Sequence, residues 1–236
     1  SVVGGKIYAI GGLLRARTNG SEPPTSVVEE YDPATDTWTE KAPMPTARGM
    51  LSASVVDGKS YAIGGTTYRA GLSTVEEYDP ATDTWTTKAP MPTARITFSS
   101  SSVVDGKIYV IGGTVFDGDY KCVPTVEEYD PVTDTWTQKA DMPTPRWSLA
   151  TCAFDGKIYA IGGVPPDGGY RGIKTVEQYD PATDTWTTKA DMWRGLWGLC
   201  ARVVNGKIYA IAGRVFMAGN YMSEYDPATD TWTRKS

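Results

Sequence analysis

The chain has 236 residues, 40% of them hydrophobic, with a formal charge of −5 and no histidine. No apolar run reaches the roughly 18 to 20 residues of a membrane-spanning helix, and the acidic balance disfavours a nucleic-acid partner. Without imidazole the chain lacks the commonest metal ligand and the usual general base near neutral pH, which weighs against most enzymatic chemistry.

In chain order, Ser1-Val2-Val3 reads as part of a first strand, and a second strand ends at Gly11-Gly12. A variable loop over Leu13–Ser26 leads to a third strand carrying Val-Glu-Glu-Tyr. Asp-Pro then makes a turn, with Pro fixing φ and Asp able to bond its own backbone. Thr-Asp-Thr-Trp opens a fourth strand. The same order returns four more times. YDPATDTW stands at Tyr31–Trp38, Tyr78–Trp85, Tyr179–Trp186 and Tyr225–Trp232, and Tyr129–Trp136 differs only at Val132. The glycine pairs Gly11-Gly12, Gly64-Gly65, Gly112-Gly113 and Gly162-Gly163 recur 48 to 53 residues apart, with Ala212-Gly213 in the fifth place. First strands are expected at Leu51–Val56 and Ala150–Phe154, and a second strand at Lys107–Ile111. Between first and second strands, Asp57-Gly58, Asp105-Gly106 and Asn205-Gly206 suit tight hairpins. Abundant glycine (25), proline (16), tryptophan (8) and tyrosine (14) fit many short strands, frequent turns and aromatic packing.

A period near 50 with this order of motifs resembles the Kelch-repeat family, five times over and across essentially the whole chain. The resemblance implies an all-β fold, a five-bladed β-propeller of four-stranded antiparallel blades, as one domain over residues 1–236. Blades are expected near residues 1–41, 42–88, 89–139, 140–189 and 190–236. Blades 1 and 5 are expected to close the ring at a weak seam.

Residues repeated once per blade are read as structural. Tyr8, Tyr61, Tyr109, Tyr159 and Tyr209, with Trp38, Trp85, Trp136, Trp186 and Trp232, are expected to pack blades together. Asp36, Asp83, Asp134, Asp184 and Asp230 are read as turn formers. Glu29-Glu30, Glu76-Glu77 and Glu127-Glu128 alternate along a strand, so their carboxylates point to opposite faces and form no acid/base pair. Cys122, Cys152 and Cys200 are odd in number and match no metal spacing. They are read as incidental thiols, with a Cys152–Cys200 contact between neighbouring blades as the alternative.

Function is sought where the copies differ. Strand counting puts the loops Leu13–Ser26, Thr66–Ser73, Thr114–Thr125, Val164–Thr175 and Arg214–Ser223 on one face. The blade-to-blade segments Arg48–Leu51, Arg95–Phe98, Arg146–Leu149 and Trp193–Leu199 share it. The resemblance implies that this face engages partner peptides. It is rich in arginine and aromatic residues, the side chains of binding hot spots and of carboxylate recognition. The candidate ligand-binding set is Arg15, Arg48, Arg69, Arg95, Arg146, Trp147, Tyr170, Arg171, Arg194, Trp197, Arg202 and Arg214. Arg48, Arg95 and Arg146 also admit a second role, bracing blades against repeat carboxylates. Arg202 takes a first-strand position held by Ser54, Ser102 and Cys152, and is expected to project into the central channel, where a charge needs a partner.

The reading is a non-enzymatic binding module for a protein or acidic peptide, monomeric, with no cofactor, metal, nucleic-acid or membrane partner. A carbohydrate-binding propeller is the alternative, on account of Trp147, Trp193, Trp197 and the tyrosines. Among enzymes that share the repeat, the copper oxidases need histidine ligands that this chain lacks. A sugar-isomerising relative needs only Arg and Glu, but no constellation selects it. Near-identity of the repeats also admits a designed or recently amplified scaffold. No charged-then-apolar leader opens the sequence, and the compartment is left open.

Overall fold

A computed structural model describes residues 1–14, 23–68, 70–98, 100–167, 169, 171–211, 213 and 221–235. The fold is all-β: five antiparallel four-stranded sheets follow one another in chain order, arranged as the blades of a propeller. In blade 3, strands Ser101–Val104, Lys107–Ile111, Val126–Asp130 and Thr135–Lys139 pair in sequence. A small extra hairpin, Thr114–Phe116 with Tyr120–Cys122, rises from its loop.

Local chemistry sets each hairpin. Asp57 and Gly58 have φ of 48° and 76°, Asp105 and Gly106 49° and 73°, and Asn205 and Gly206 49° and 74°. Two successive residues at positive φ make the turn whose twist matches paired strands, and Asn, Asp and Gly tolerate it best. At the third-to-fourth turn the aspartates do more than turn the chain. Asp134 sits at φ 54° and accepts from the Tyr129 hydroxyl at 2.6 Å.

Little core lies within a blade, because a single sheet is one layer thick. Four apolar clusters fill the spaces between successive blades. In the cluster between blades 3 and 4, Tyr109, Ile111 and Val126 of one face Ile158, Ala160 and Tyr179 of the other. Met142, from the linker, is 1% exposed and completes it. Second-strand tyrosines meet the third-strand tyrosines of the next blade, with centroids 5.8 to 6.0 Å apart for Tyr8–Tyr78, Tyr61–Tyr129, Tyr109–Tyr179 and Tyr159–Tyr225. The expected packing role of the repeated aromatics therefore holds at these four boundaries.

The glycine pair explains itself at the same boundaries. A Cβ on Gly112 (φ 64°) would stand 2.7 Å from the Arg146 carbonyl oxygen, and the Gly113 N–H donates to that oxygen at 3.1 Å. The two backbones touch where the next linker passes over the blade, so only glycine fits.

Candidate binding face

The linker arginines are built first by their neighbours. Arg95 is wholly buried, and its Nη1 donates to Glu127 Oε2 at 2.5 Å while Nη2 donates to the Val110 carbonyl at 3.1 Å. Arg146 repeats this with Glu177 at 2.5 Å and the Ala160 carbonyl at 3.0 Å. Arg48 does so with Glu76 and with the Ala62 carbonyl at 2.9 Å. Thr46, Thr93 and Thr144 each donate a hydroxyl to the second oxygen of the same carboxylate at 2.8 Å. Burial pulls each guanidinium pKa down from its usual value, and the adjacent carboxylate offsets part of that. The ligand-binding expectation for Arg48, Arg95 and Arg146 is thereby corrected. All three are 0% exposed, with their charge spent on tying each linker to the third strand of its own blade.

The residue after each of these arginines is uncharged. Gly49, Ile96 and Trp147, each following one of those arginines, form bridges with Thr66, Thr114 and Val164, each following a glycine pair. This stitches linker to loop in blades 2, 3 and 4. A staircase of rings crosses the three steps: Phe98 to Trp147 at 5.1 Å and Trp147 to Trp197 at 5.6 Å. Beside it lies a cleft of about 370 Å³ lined by Met50, Thr66, Tyr68, Phe98, Thr114, Tyr120, Trp147 and Pro165, among others, with no charged side chain among the described residues of its wall. Tyr68 and Tyr120, 78% and 55% exposed, stand on its lips. Thr66 and Thr114, 2% and 4% exposed, also line it, and their hydroxyls have no hydrogen-bond partner among the described residues. A buried, unmatched hydroxyl costs roughly 1 to 3 kcal/mol, so two at equivalent positions are an asymmetry that a ligand can relieve. Cys122 also lines the cleft, and burial pushes its thiol up to about 11.

The remaining candidates are spread out. Arg171 is exposed on the loop of blade 4. Arg194 lies over the Tyr221 ring at 5.1 Å, in a separate hollow of about 270 Å³ with Trp193, Leu196 and Arg234. Trp197 and Trp147 stack together as described. Arg202 lines the central cavity of about 470 Å³ with Thr151, Cys200 and Ser101, and donates to the Ala201 carbonyl at 2.8 Å. Arg15, Arg69, Tyr170 and Arg214 lie outside the described residues. All three cysteines are free, and burial pushes the Cys152 thiol up to about 12.

Two features of the cleft escaped sequence reasoning. Phe98 looked like one apolar residue of a linker, and Thr66 and Thr114 like loop polarity. Their signal was positional, since both threonines directly follow a glycine pair, the last point at which the blade is held before the loop departs.

Glu77 and Glu128, outside this face, are paired. Lys107 and Tyr109 both donate to Glu128 at 2.8 Å, and Lys59 and Tyr61 to Glu77 at 2.7 Å. Among the described residues no group of three or more acidic or cysteine side chains is arranged to hold a metal ion.

The Kelch motif is matched at residues 1–45, 47–92, 95–143, 146–192 and 198–236. The chain is similar to the Kelch-like protein terF of Aspergillus terreus, 44% identical over 66 residues, which is 28% of this chain and 14% of that protein. It is also similar to the Kelch-like ECH-associated protein 1A of Danio rerio, 36% identical over 65 residues, 28% of this chain and 10% of that protein. The chain thus spans a small part of the length of either relative. Among solved structures, that of YjhT superposes with a TM-score of 0.81 at 14% identity, covering 100% of this chain and 82% of the other.

Proposed function

The chain belongs to the Kelch-repeat family, and we propose that it is a protein-binding module rather than an enzyme, with the cleft on the loop face of blades 2 to 4 as its recognition site. Kelch-like relatives support protein interaction in general, and one of them carries an association in its name. The observation that carries the finer reading is the wall of rings beside two threonine hydroxyls, with no charge in that wall and no partner for those hydroxyls among the described residues. Aromatic walls give area and rigidity at low entropic cost. Buried hydroxyls confer direction by bonding a peptide carbonyl or amide, as in most specific pockets. The partner segment that fits is extended, with an apolar anchor for the cleft and main-chain groups within reach of Thr66 and Thr114. Acidic residues on that segment find no cation among the described residues lining the cleft. The pairing of Glu77, Glu128, Glu127 and Glu177 with cations supports binding over catalysis, since none of these carboxylates is free to move a proton.

Carbohydrate binding is the second reading, favoured by the exposed rings of Tyr68 and Tyr120, on which a sugar could stack. Paired peptide and glycan arrays separate the two. The expected result is capture of apolar peptides, little weakened by salt, and lost at least tenfold in Tyr68→Ala/Tyr120→Ala, where truncation removes about 1.4 kcal/mol or more. Glycan capture lost in the same variant moves the function to a lectin. Binding unchanged by that variant, or abolished by Arg171→Ala alone, removes the cleft as the site.

A further inference from the structure

In blades 2, 3 and 4 the linker and third strand meet around one buried ion pair, and blade 5 lacks it. Leu196 stands where those blades have Arg48, Arg95 and Arg146, and Ser223 where they have Glu76, Glu127 and Glu177. The backbone around the slot is the same. The Met192 N–H donates to the Lys174 carbonyl at 2.9 Å, as those of Met44, Met91 and Met142 do to Ser26, Ser73 and Pro124 at 2.8 Å. The Leu196 N–H donates to the Ile173 carbonyl at 3.3 Å, as that of Arg48 does to Thr25 at 3.3 Å. Ser223 pairs with Arg234 across the ladder, as Glu127 pairs with Gln138. Losing both members of a buried pair together leaves no orphaned charge.

The frame is kept while its contents shrink, and the hollow of about 270 Å³ lies there, lined by Met192, Leu196 and Ser223. Met192 belongs to the apolar cluster between blades 4 and 5. The other residues of the wall are departures from the repeat as well. Arg194 replaces Thr46, Thr93 and Thr144, and Arg234 replaces Thr87, Gln138 and Thr188. Trp193 replaces a proline and Tyr221 a threonine. Charge changes with shape. Blades 2 to 4 put one cation and one anion in the slot. Blade 5 lines it with two guanidiniums and, among the described residues, no carboxylate. Neither Arg194 nor Arg234 makes a side-chain hydrogen bond or ion pair with a described residue, and Arg194 lies over the Tyr221 ring. Glu224, beside Ser223, is taken by the Tyr209 hydroxyl at 2.5 Å and Lys235 at 2.9 Å. The Trp193 indole donates to the Trp232 carbonyl at 3.3 Å, which ties this 65% exposed ring to the fourth strand.

We propose that this hollow is a second binding site, for a carboxylate borne on an apolar ring or short alkyl chain. Guanidinium forks match a planar carboxylate in two-pronged fashion. The apolar body of the ligand suits a wall of Met192, Leu196 and the Trp193 ring. Such a ligand supplies from outside what the slot of blade 5 lacks, an anion for the cations and bulk for the space. The hollow shares no described lining residue with the cleft of blades 2 to 4, so the two sites stand or fall separately. The ligand is either a free organic acid or the C-terminal residue of another chain, which offer the same chemistry.

Saturation-transfer NMR with phenylacetate tests the site, with acetate and phenethyl alcohol as probes that lack the ring or the charge. The expected result is phenylacetate bound at least about tenfold more tightly than either. Two variants locate it. Leu196→Arg/Ser223→Glu rebuilds the ion pair of the other blades inside the hollow, and should abolish binding while the melting temperature holds or rises. Arg194→Gln/Arg234→Gln keeps the hollow without its charges, and should bring phenylacetate down to the level of phenethyl alcohol with an unchanged melt. A peptide ending in phenylalanine, with a free or an amidated terminus, assigns the source. Tighter binding of the free-terminus peptide than of phenylacetate, lost on amidation, supports the site with a chain terminus as its ligand, and the opposite order supports it with a free acid. Equal affinity for phenylacetate and phenethyl alcohol overturns the proposal. So does phenylacetate binding that survives both variants, or its failure to bind the parent chain.

Discussion

Blade 3 and blade 1 are written in nearly the same residues, and those residues do different work. Glu127 is buried on Arg95 while Glu29 faces water, and Trp136 bonds the Ala89 carbonyl while Trp38 is mostly exposed. The difference lies in the preceding neighbour, since both blades share the lysine and tyrosine contacts to Glu30 and Glu128 and the Tyr–Asp and Tyr–Trp contacts of their third strands. In a repeat of single-layer sheets, a side chain takes its role from the boundary it meets rather than from its own blade, because stacking is what buries the core.

The largest effect should come from breaking the buried pair that blade 3 has and blade 1 lacks. Arg95→Ala leaves Glu127 charged at 2% exposure, and removing one partner of a buried pair costs roughly 3 to 5 kcal/mol. Urea denaturation should show that loss, while Glu29→Ala and Arg194→Ala stay within about 0.5 kcal/mol of the parent. If Arg95→Met/Glu127→Gln regains most of the stability, the cost lies in the orphaned charge rather than in a lost attraction. Equal losses for Arg95→Ala and Arg194→Ala would erase the distinction between linker and loop arginines.

The next effect belongs to the glycine pair. Gly112→Ala must find room for a Cβ 2.7 Å from the Arg146 carbonyl at a left-handed φ of 64°, and should cost about 2 to 3 kcal/mol. Gly58→Ala meets open space at φ 76° and should cost only the conformational term, about 1 kcal/mol. Thermal melts of the two variants give the contrast directly, and equal costs would mean that the backbones do not touch at the boundary.

These boundaries also mark what was legible in the sequence. The blades, their hairpins and the packing of Tyr109 and Trp136 follow from motifs that recur, since a turn or strand is local and its chemistry is written in adjacent residues. The fate of the arginines was not legible. Arg95 and Arg171 both sit in segments assigned to the loop face, and only the fold brings Glu127, 32 positions away from Arg95, beneath the first and not the second. The cleft was half visible: Trp147 stood in the candidate set, but the buried hydroxyls of Thr66 and Thr114 depend on how linkers bridge to loops. The aspartates were read as turn formers, and that is what they do within a blade. Their second partner, an alanine N–H more than 40 positions away for Asp134, is again a boundary contact.

Smaller still is the indole hydrogen bond. Trp136→Phe keeps the ring contact with Tyr129 but deletes the donor to the Ala89 carbonyl, a loss of about 1 kcal/mol. Trp38→Phe deletes a donor that no linker receives, and its denaturation midpoint should not move. A matching loss at Trp38 would mean that its indole is engaged in solution.

The mildest probe is acid. Asp83, Asp134, Asp184 and Asp230 each have a pKa held below the usual aspartate range, first by the hydroxyl of the tyrosine five positions earlier. The alanine N–H across the boundary adds to that. A folded pKa below the unfolded one means that the stabilisation is fully present above the unfolded value, near pH 4, and is lost as pH falls through the folded value. Melting temperature should therefore decline below about pH 4, and the decline should flatten in Asp134→Asn, which keeps an acceptor but does not titrate. Because Asp83, Asp184 and Asp230 are exposed and Asp134 is partly so, the slope should be shallow and shared among the boundaries. An acid profile unchanged in Asp134→Asn would show that the tyrosine hydroxyl and alanine amide bind the neutral and charged carboxyl alike, and would leave the apolar clusters and the indole hydrogen bonds to hold the blades together.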